Sequence, residues 1–263
     1  MPDTDAAFAG SIPALYDQYL GPLLFAPYAA DIAARAAIFG PRRILETAAG
    51  TGIVTEALAR ALPDAEIVAT DLNQAMLDVA AGRVRAPQVT FRQADAQSLP
   101  FADAGFNLVL SQFGVMFFPD RVAAYREARR VLRPGGRFLF NVWDRIEANP
   151  VTAAVGAAVA ALFPDDAPSF YRRVPFGYHD KARIEADLRA AGFTDIAAET
   201  VALTSRVSAR DAAMGLTQGT PLRAEIEQHG ADLDRATDAA AAALAPLDGK
   251  EAPMSAIVVS AGG

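Results

Sequence analysis

From residue 42 onward, short apolar segments alternate with helical patterns, and this alternation constrains the fold more than any other feature of the sequence. Strands are predicted at 44–47, 66–71, 89–92, 106–111 and 138–143. Helices between such strands imply parallel pairing through crossover connections. The segment 106–111 is apolar almost throughout, which is typical of a strand buried on both faces. We therefore predict an α/β fold with a doubly wound, mostly parallel, Rossmann-like sheet.

The segments that flank this core are predicted to be mainly helical. Apolar residues recur at helical spacing in 12–19 and again in 24–32, so two helices precede the first strand. Helical patterns at 151–163, 184–191 and 209–245 alternate with strands at 194–207 and 254–260, which complete a seven-stranded sheet. We expect a helical lid at 1–40, a ligand-binding core at 41–145, and cap helices with the final strands at 146–263.

Charge and composition limit the partners of the chain. It carries 24 Lys and Arg against 31 Asp and Glu, a net charge of −7, so it repels a phosphate backbone. We therefore expect no nucleic-acid partner. Cysteine is absent, which excludes disulfides and thiolate metal sites, and no cluster of histidines or acids favours a metal.

The expected location is the cytoplasm. Residues 1–10 lack the basic and apolar regions of a secretory signal. The longest uncharged stretch, 148–164, is too short and too weakly apolar to span a bilayer, so no membrane span is expected. The sequence leaves the oligomeric state open, a homodimer included.

A glycine turn follows the first strand and leads into a helix. Glu46 lies near the end of that strand, and Gly50 and Gly52 lie in the turn. This order brings a carboxylate and backbone N–H groups to the carboxyl edge of the sheet, where glycines let a ligand approach the backbone. Asp71 closes the second strand roughly 20 residues later, where an acid commonly accepts hydrogen bonds from ribose hydroxyls. The pattern predicts a nucleoside site, with a purely structural turn as the alternative.

Five ordered segments resemble the class I S-adenosylmethionine (SAM)-dependent methyltransferases, in particular the small-molecule type similar to quinone-biosynthesis methyltransferases. The segments are ILETAAGTG at 44–52, TDLNQAML at 70–77, QADAQSLPF at 93–101, QFGVMFFPD at 112–120 and RVLRPGG at 130–136. Each match alone is weak, whereas all five in register form a specific pattern. In the first segment, Ala48 stands where many members have glycine. Beyond residue 145 the resemblance weakens.

The resemblance implies that SAM is the cofactor and that a methyl group passes to a small-molecule substrate. Glu46 would hold the methionine amine, Gly50 and Gly52 would leave room for the nucleoside, and Asp71 would bind the ribose. The adenine would be contacted by Leu72, Met76, Asp95 and Ala96. The remaining predicted cofactor contacts are Tyr19, Ala48, Gln112 and Phe113.

Methyl transfer from a sulfonium requires an aligned acceptor and a dry site, and it does not require a protein nucleophile. Substrate walls are predicted at Tyr16, Met116, Trp143, Tyr171 and Phe176. For an oxygen or nitrogen acceptor, His179 is the candidate general base, although it is also compatible with a plain role near a helix N-terminus. The acceptor atom stays open.

Two other functions compete with this interpretation. A nicotinamide-dependent reductase would favour glycine at position 55, where the chain has Thr55, and no lysine has a tyrosine four residues upstream. A SAM-binding module without catalysis is the other alternative, although no motif is visibly broken.

Overall fold

The central sheet has seven strands in the order β3-β2-β1-β4-β5-β7-β6. We describe it from a computed structural model that covers residues 8, 10–230 and 232–263. The strands are β1 (Arg43–Thr47), β2 (Glu66–Asp71), β3 (Val89–Gln93), β4 (Phe106–Gln112), β5 (Leu132–Trp143), β6 (Asp195–Arg206) and β7 (Glu251–Gly262). Only β7 pairs antiparallel to its neighbours within this described sheet. The predicted mostly parallel seven-stranded fold is confirmed, and β6 and β7 join the same sheet as the core strands.

Helices connect the strands and cover both faces of the sheet. They are α1 (Ile12–Leu15), a π-helix (Tyr16–Phe25), α2 (Ala26–Ile38), α3 (Ile53–Ala61), α4 (Gln74–Arg83), α5 (Arg121–Val131), α6 (Pro150–Ala160), α7 (Phe170–Arg173), α8 (Lys181–Ala190), α9 (Ala209–Gln218), α10 (Leu222–Gln228) and α11 (Leu233–Leu244). Among the described residues, no helix is long and apolar enough to cross a membrane.

Strand β4 shows why the sheet is buried on both sides. Leu108 and Leu110 join the buried cluster on one face, whereas Val109 joins the larger cluster on the other. A strand with two buried faces needs apolar residues at successive positions, which is the pattern of its sequence. The order of strands reverses between β1 and β4, and the carboxyl ends of strands at such a switch point form the usual ligand crevice of an open α/β sheet.

The N-terminal segment differs from the prediction of two separate helices. Helical structure runs continuously from Ile12 to Ile38, with a π-helix at its centre. Pro22 lies inside this π-helix and has no N–H to donate, so an ordinary α-helical ladder cannot continue through it. A π-helical segment inside a helix often marks a functional site. Residues 1–7 and 9 of the predicted lid lie outside the described residues.

Two further boundaries differ from the sequence prediction. The Pro134-Gly135-Gly136 turn lies within the bounds of β5, because Leu132 pairs with Phe106 before the register with β4 shifts. The segment 164–178, predicted as a loop, contains the short helix α7. Phe170 and Tyr171 of α7 are buried, so this segment is packed against the core.

Candidate functional site

Asp71 and the turn after β1 form the centre of the site. Asp71 Oδ2 accepts a hydrogen bond from the Gly50 N–H at 2.9 Å, and its Oδ1 accepts one from the Asn73 N–H at 2.8 Å. Burial raises the pKa of Asp71, and the N–H groups of Asn73 and Gly50 oppose that rise. One carboxylate therefore joins the ends of β1 and β2 at the crevice.

Glu46 lies at the bottom of the same turn and is almost completely buried. The Thr55 hydroxyl donates a hydrogen bond to Glu46 Oε2 at 2.7 Å. Burial raises the pKa of Glu46 from 4.5 to about 8, with Thr55 lowering it in part and Asp71 adding to the rise. A recess of about 30 Å³ reaches Glu46 past Ala48 and Gly50. A buried carboxyl of this kind is stabilised in its ionised form by a nearby cation such as an ammonium group.

The two glycines of the turn have different roles. Gly50 has a φ of +56°, and a side chain at this position would project beside Met76 in the cleft. Gly52 has a φ of +80°, and an added Cβ would lie 2.9 Å from the Cβ of Ala80 in α4. Gly52 therefore allows α4 to pack against the turn, and the cleft lining does not include it. This placement differs from the expectation that Gly52 leaves room for the nucleoside.

Ala48 occupies a left-handed conformation that glycine adopts more easily. Its φ is +53°, and Phe113, across the crevice, has a φ of +50°. Gly114 compensates for the Ala48 methyl group, since a Cβ on Gly114 would lie only 2.4 Å from the Ala48 Cβ. Non-glycine residues in this region are strained, and such strain concentrates at ligand sites.

The cleft beyond Asp71 has the shape and chemistry of a nucleoside site. Its volume is about 320 Å³, and Ala48, Gly50, Asp71, Met76, Asp95, Ala96, Gln112 and Phe113 all line it. Leu72 lies at the rim with 54% of its surface exposed, which is unusual for a leucine and suits packing against a planar base. Asp95 accepts a hydrogen bond from the Gln97 N–H at 2.8 Å. The cleft thus offers apolar surface for a ring and carboxylates for polar groups.

A stacked aromatic pair lies between this cleft and the interior. The rings of Phe113 and Trp143 are 3.8 Å apart and 7° from parallel. Phe113 lines the cleft on one side and, together with Trp143, an apolar cavity on the other. Gln112 lies beside Phe113, and its Nε2 donates to the Phe25 carbonyl at 3.2 Å. Phe113 therefore lies at the boundary between the two spaces, which Phe8, Tyr16 and Phe117 also line.

The inner cavity is small and almost entirely apolar. It has a volume of about 50 Å³, and Tyr16, Trp143, Tyr171 and Phe176 lie in its walls. The Tyr171 hydroxyl donates to the Leu216 carbonyl at 2.5 Å, so it is already satisfied. Burial raises the pKa of Tyr171 and of Tyr16, which keeps both as neutral phenols near pH 7.

Most predicted site residues converge on these three adjoining spaces, but four lie elsewhere. Tyr19 faces the opposite side of the π-helix, near β6 and α9. Met116 is fully buried behind the cavity wall, and Phe117 occupies the wall instead. Gly52 packs on α4, as described. His179 is exposed, and its Nδ1 lies 2.7 Å from the Phe176 carbonyl, outside the cavity lining.

The sequence analysis missed several residues of the site. Asn73 and Gln97 lie in the cleft, two and four residues after the ends of β2 and β3 and inside matched segments, so their position carried a signal. Phe117 also lies inside a matched segment. Leu216 and Thr220 come from α9 and the turn after it, and no local pattern distinguishes them. The part of the chain that the structure describes holds no group of three or more His, Asp or Glu side chains placed for a metal ion.

Comparison with known proteins agrees with this geometry. Residues 45–140 match a family model described as a methyltransferase domain. A demethylmenaquinone methyltransferase of Deinococcus radiodurans is 33% identical over 174 residues, which are 61% of this chain and 71% of that protein. The ubiquinone/menaquinone biosynthesis C-methyltransferase UbiE of Photorhabdus laumondii is 31% identical over 169 residues, which are 59% of this chain and 67% of that protein.

A solved structure extends the similarity to the whole fold. The crystal structure of the cyclase SpnF matches with a TM-score of 0.66 at 20% identity, and the match covers 99% of this chain and 97% of that one. At this identity the likeness concerns the fold alone. The cap helices beyond residue 145, where the sequence motifs end, therefore belong to an architecture that is known in another protein.

Proposed function

This chain belongs to the family of SAM-dependent methyltransferases, and we propose that it methylates a small, apolar and aromatic acceptor bound in the inner cavity. SAM is its cofactor and supplies an activated methyl group on a sulfonium. The cleft fits such a molecule, because Gly50 leaves the approach to the turn free and Leu72 exposes apolar surface beside Asp71. The single observation that carries the proposal about the acceptor is the aromatic cavity directly behind Phe113.

The roles of individual residues follow from their positions. We infer that Asp71 binds the ribose hydroxyls, that Leu72 and Met76 contact the adenine, and that Asp95 accepts a hydrogen bond from its amino group. Glu46 would bind the methionine ammonium through the recess beside Gly50. Phe113 would then separate the nucleoside cleft from the acceptor, with Gln112 holding the π-helix at the Phe25 carbonyl.

The chemistry of the cavity limits the acceptor. The described residues that line it include no Asp, Glu, Lys, Arg or His, and the raised pKa values keep Tyr16 and Tyr171 protonated, so neither is available as a base. The acceptor must then present its own nucleophile, such as an electron-rich carbon or a heteroatom that ionises before it binds. The placement of His179 outside the cavity gives no support to its proposed role as a base. Aromatic walls also favour a flat ring and exclude water from the transfer.

The proposal is supported by the two quinone-biosynthesis relatives and is tested by labelled methyl transfer. The purified chain is incubated with SAM carrying a tritiated methyl group and with either naphthohydroquinone or histamine as acceptor. We expect label in the aromatic, apolar compound and none in the polar amine. Transfer to histamine alone would contradict the proposed acceptor class. Binding of SAM without transfer to these compounds or to a metabolite extract would favour a binding module.

A further inference from the structure

We propose that the acceptor enters through the seam between α7 and α10, and that Glu225 is the positioning residue that holds this seam closed. The seam is defined by Ser169, Phe170 and Arg173 on one side and by Thr220, Pro221 and Glu225 on the other. This inference rests on the proposed function, because it assigns a route to the cavity in which the acceptor would bind.

The cavity adjoins the cleft at Phe8, Tyr16, Phe113 and Phe117, but in this conformation it is too small for an aromatic acceptor. Its volume is about 50 Å³, whereas a cavity that holds one benzene molecule has a volume of about 150 Å³. Part of its wall must therefore move for an acceptor to bind. The part that moves most easily is the part held by contacts that water can replace.

Most of the wall is closed by aromatic packing. The rings of Tyr16 and Phe25 stack at 4.7 Å, and Phe8 meets Phe117 edge to face at 5.8 Å. The Phe117 and Phe170 rings lie 6.5 Å apart. Separation of such rings exposes apolar surface to water, which is unfavourable in proportion to the area exposed.

At the seam the contact that water can reach is a carboxylate, whereas the buried Tyr171 hydroxyl bonds to the Leu216 carbonyl deeper in the wall. Glu225 Oε2 accepts hydrogen bonds from the Ser169 N–H at 2.9 Å and the Phe170 N–H at 3.0 Å. Its Oε1 pairs with Arg173 Nη2 at 2.5 Å. The Glu225 side chain is 16% exposed, so water reaches the carboxylate when these contacts break. Hydrogen bonds of this kind are exchanged for bonds to water at a small net free energy.

The seam leads directly to the cavity. Phe170 on one side and Thr220 and Pro221 on the other all line it. Two flanking contacts hold the same segment: His229 Nε2 lies 3.2 Å from Asp166 Oδ2, and Arg172 forms an ion pair with Glu147 at 2.8 Å. Arg172 and Glu147 are both largely exposed, so that pair adds little. Glu225 is therefore the water-accessible contact that holds the seam, beside the buried contacts of the Tyr171 hydroxyl with Leu216 and Thr220.

The chain contains a built-in reporter for opening of the seam. Trp143 is its single tryptophan, it lines the cavity, and its ring stacks near that of Phe176 at 5.9 Å. Acrylamide quenching of tryptophan fluorescence is measured for the wild type, Glu225→Ala and Glu225→Gln. We expect the quenching constant to rise at least twofold in Glu225→Ala and by less in Glu225→Gln, which keeps an acceptor oxygen for the N–H groups.

Glu227→Ala is the matched control. Glu227 lies on the same helix and pairs with Arg223 at 3.0 Å, but it is more exposed and does not reach α7. We expect its quenching constant and its affinity for SAM, measured by calorimetry, to equal those of the wild type. The affinity of both Glu225 variants for SAM should stay within twofold, which shows that they are folded. Unchanged quenching in both Glu225 variants, or an equal rise in Glu227→Ala, overturns the proposal.

Kinetics separate an entrance from a merely structural contact. In Glu225→Ala we expect the KM for naphthohydroquinone to change at least threefold while the KM for SAM stays constant. Increased quenching with an unchanged KM for naphthohydroquinone would mean that the seam opens but does not admit the acceptor, and the entrance would be wrong. Absence of transfer by the wild type would instead refute the acceptor class. The quenching result would then test only whether Glu225 holds the seam closed.

Discussion

Protonation of Glu46 should make the binding of SAM strongly dependent on pH. The pKa of this buried carboxyl is about 8, so it is mostly protonated at pH 6 and half ionised at pH 8. If only the carboxylate binds the methionine ammonium, the binding-competent fraction rises about 50-fold over this range. Affinity should therefore rise as the pH increases from 6 to 8.

Calorimetry with S-adenosylhomocysteine measures this effect, because that molecule carries the same amino group. At pH 7 we expect binding to release about 0.9 proton, which appears as a dependence of the measured enthalpy on the buffer. Glu46→Gln should bind S-adenosylhomocysteine more weakly and should release no proton on binding. Its affinity should not change with pH. Asp78→Asn, a change at an exposed residue of α4, should behave like the wild type. A wild-type affinity that is equally independent of pH would refute the proposed contact between Glu46 and the methionine ammonium.

The same group affects the stability of the ligand-free protein. Its pKa is raised from 4.5 in the unfolded chain to about 8 in the folded one, so its contribution is fully present below pH 4.5 and is lost as pH rises to 8. The loss amounts to about 5 kcal/mol at most. Between pH 5 and pH 8, the free energy of unfolding measured with urea should fall less for Glu46→Gln than for the wild type.

Four further substitutions test separate parts of the chain. Gly52→Ala should lower the free energy of unfolding, measured with urea, by about 2–3 kcal/mol, because the added methyl group clashes with Ala80. Gly50→Ala should mainly weaken SAM binding, measured by calorimetry, by about tenfold. Ala48→Gly should leave the free energy of unfolding unchanged or raise it by up to about 1 kcal/mol. A decrease measured by urea unfolding would contradict the strain at Ala48. His179→Ala should keep the rate of methyl transfer within about twofold of the wild type between pH 6 and 8. A steep loss of rate would support His179 as the general base.

The sequence was most informative where local chemistry and topology coincide. Strands β1, β2 and β4 are apolar and buried on both faces, so their alternation with helices was sufficient to predict the sheet. Asp71, Gly50 and Asp95 lie at strand ends, and parallel strands necessarily bring those ends together at one edge. Most residues that line this cleft could therefore be predicted, although Asn73 and Gln97 were missed and Gly52 and Tyr19 lie elsewhere.

The acceptor cavity could not be predicted in the same way. Its wall combines Phe113 and Trp143 from the sheet with Tyr171 and Leu216 from cap helices that are distant in the chain. The periodicity of a helix shows which face is apolar, but it does not show which other helix it meets. Tyr19 illustrates the limit, because the π-helix turns it away from Tyr16, three residues earlier in the sequence.

The affinity of SAM for Asp71→Asn tests the account most directly. This carboxylate receives the N–H groups of Gly50 and Asn73 and lines the cleft where the ribose would bind. Calorimetry at pH 8 should show binding weakened by about 10-fold to 100-fold, as expected for loss of charged hydrogen bonds, while Asp78→Asn binds normally. Wild-type affinity in a folded Asp71→Asn protein would contradict the assignment of the cleft as the cofactor site.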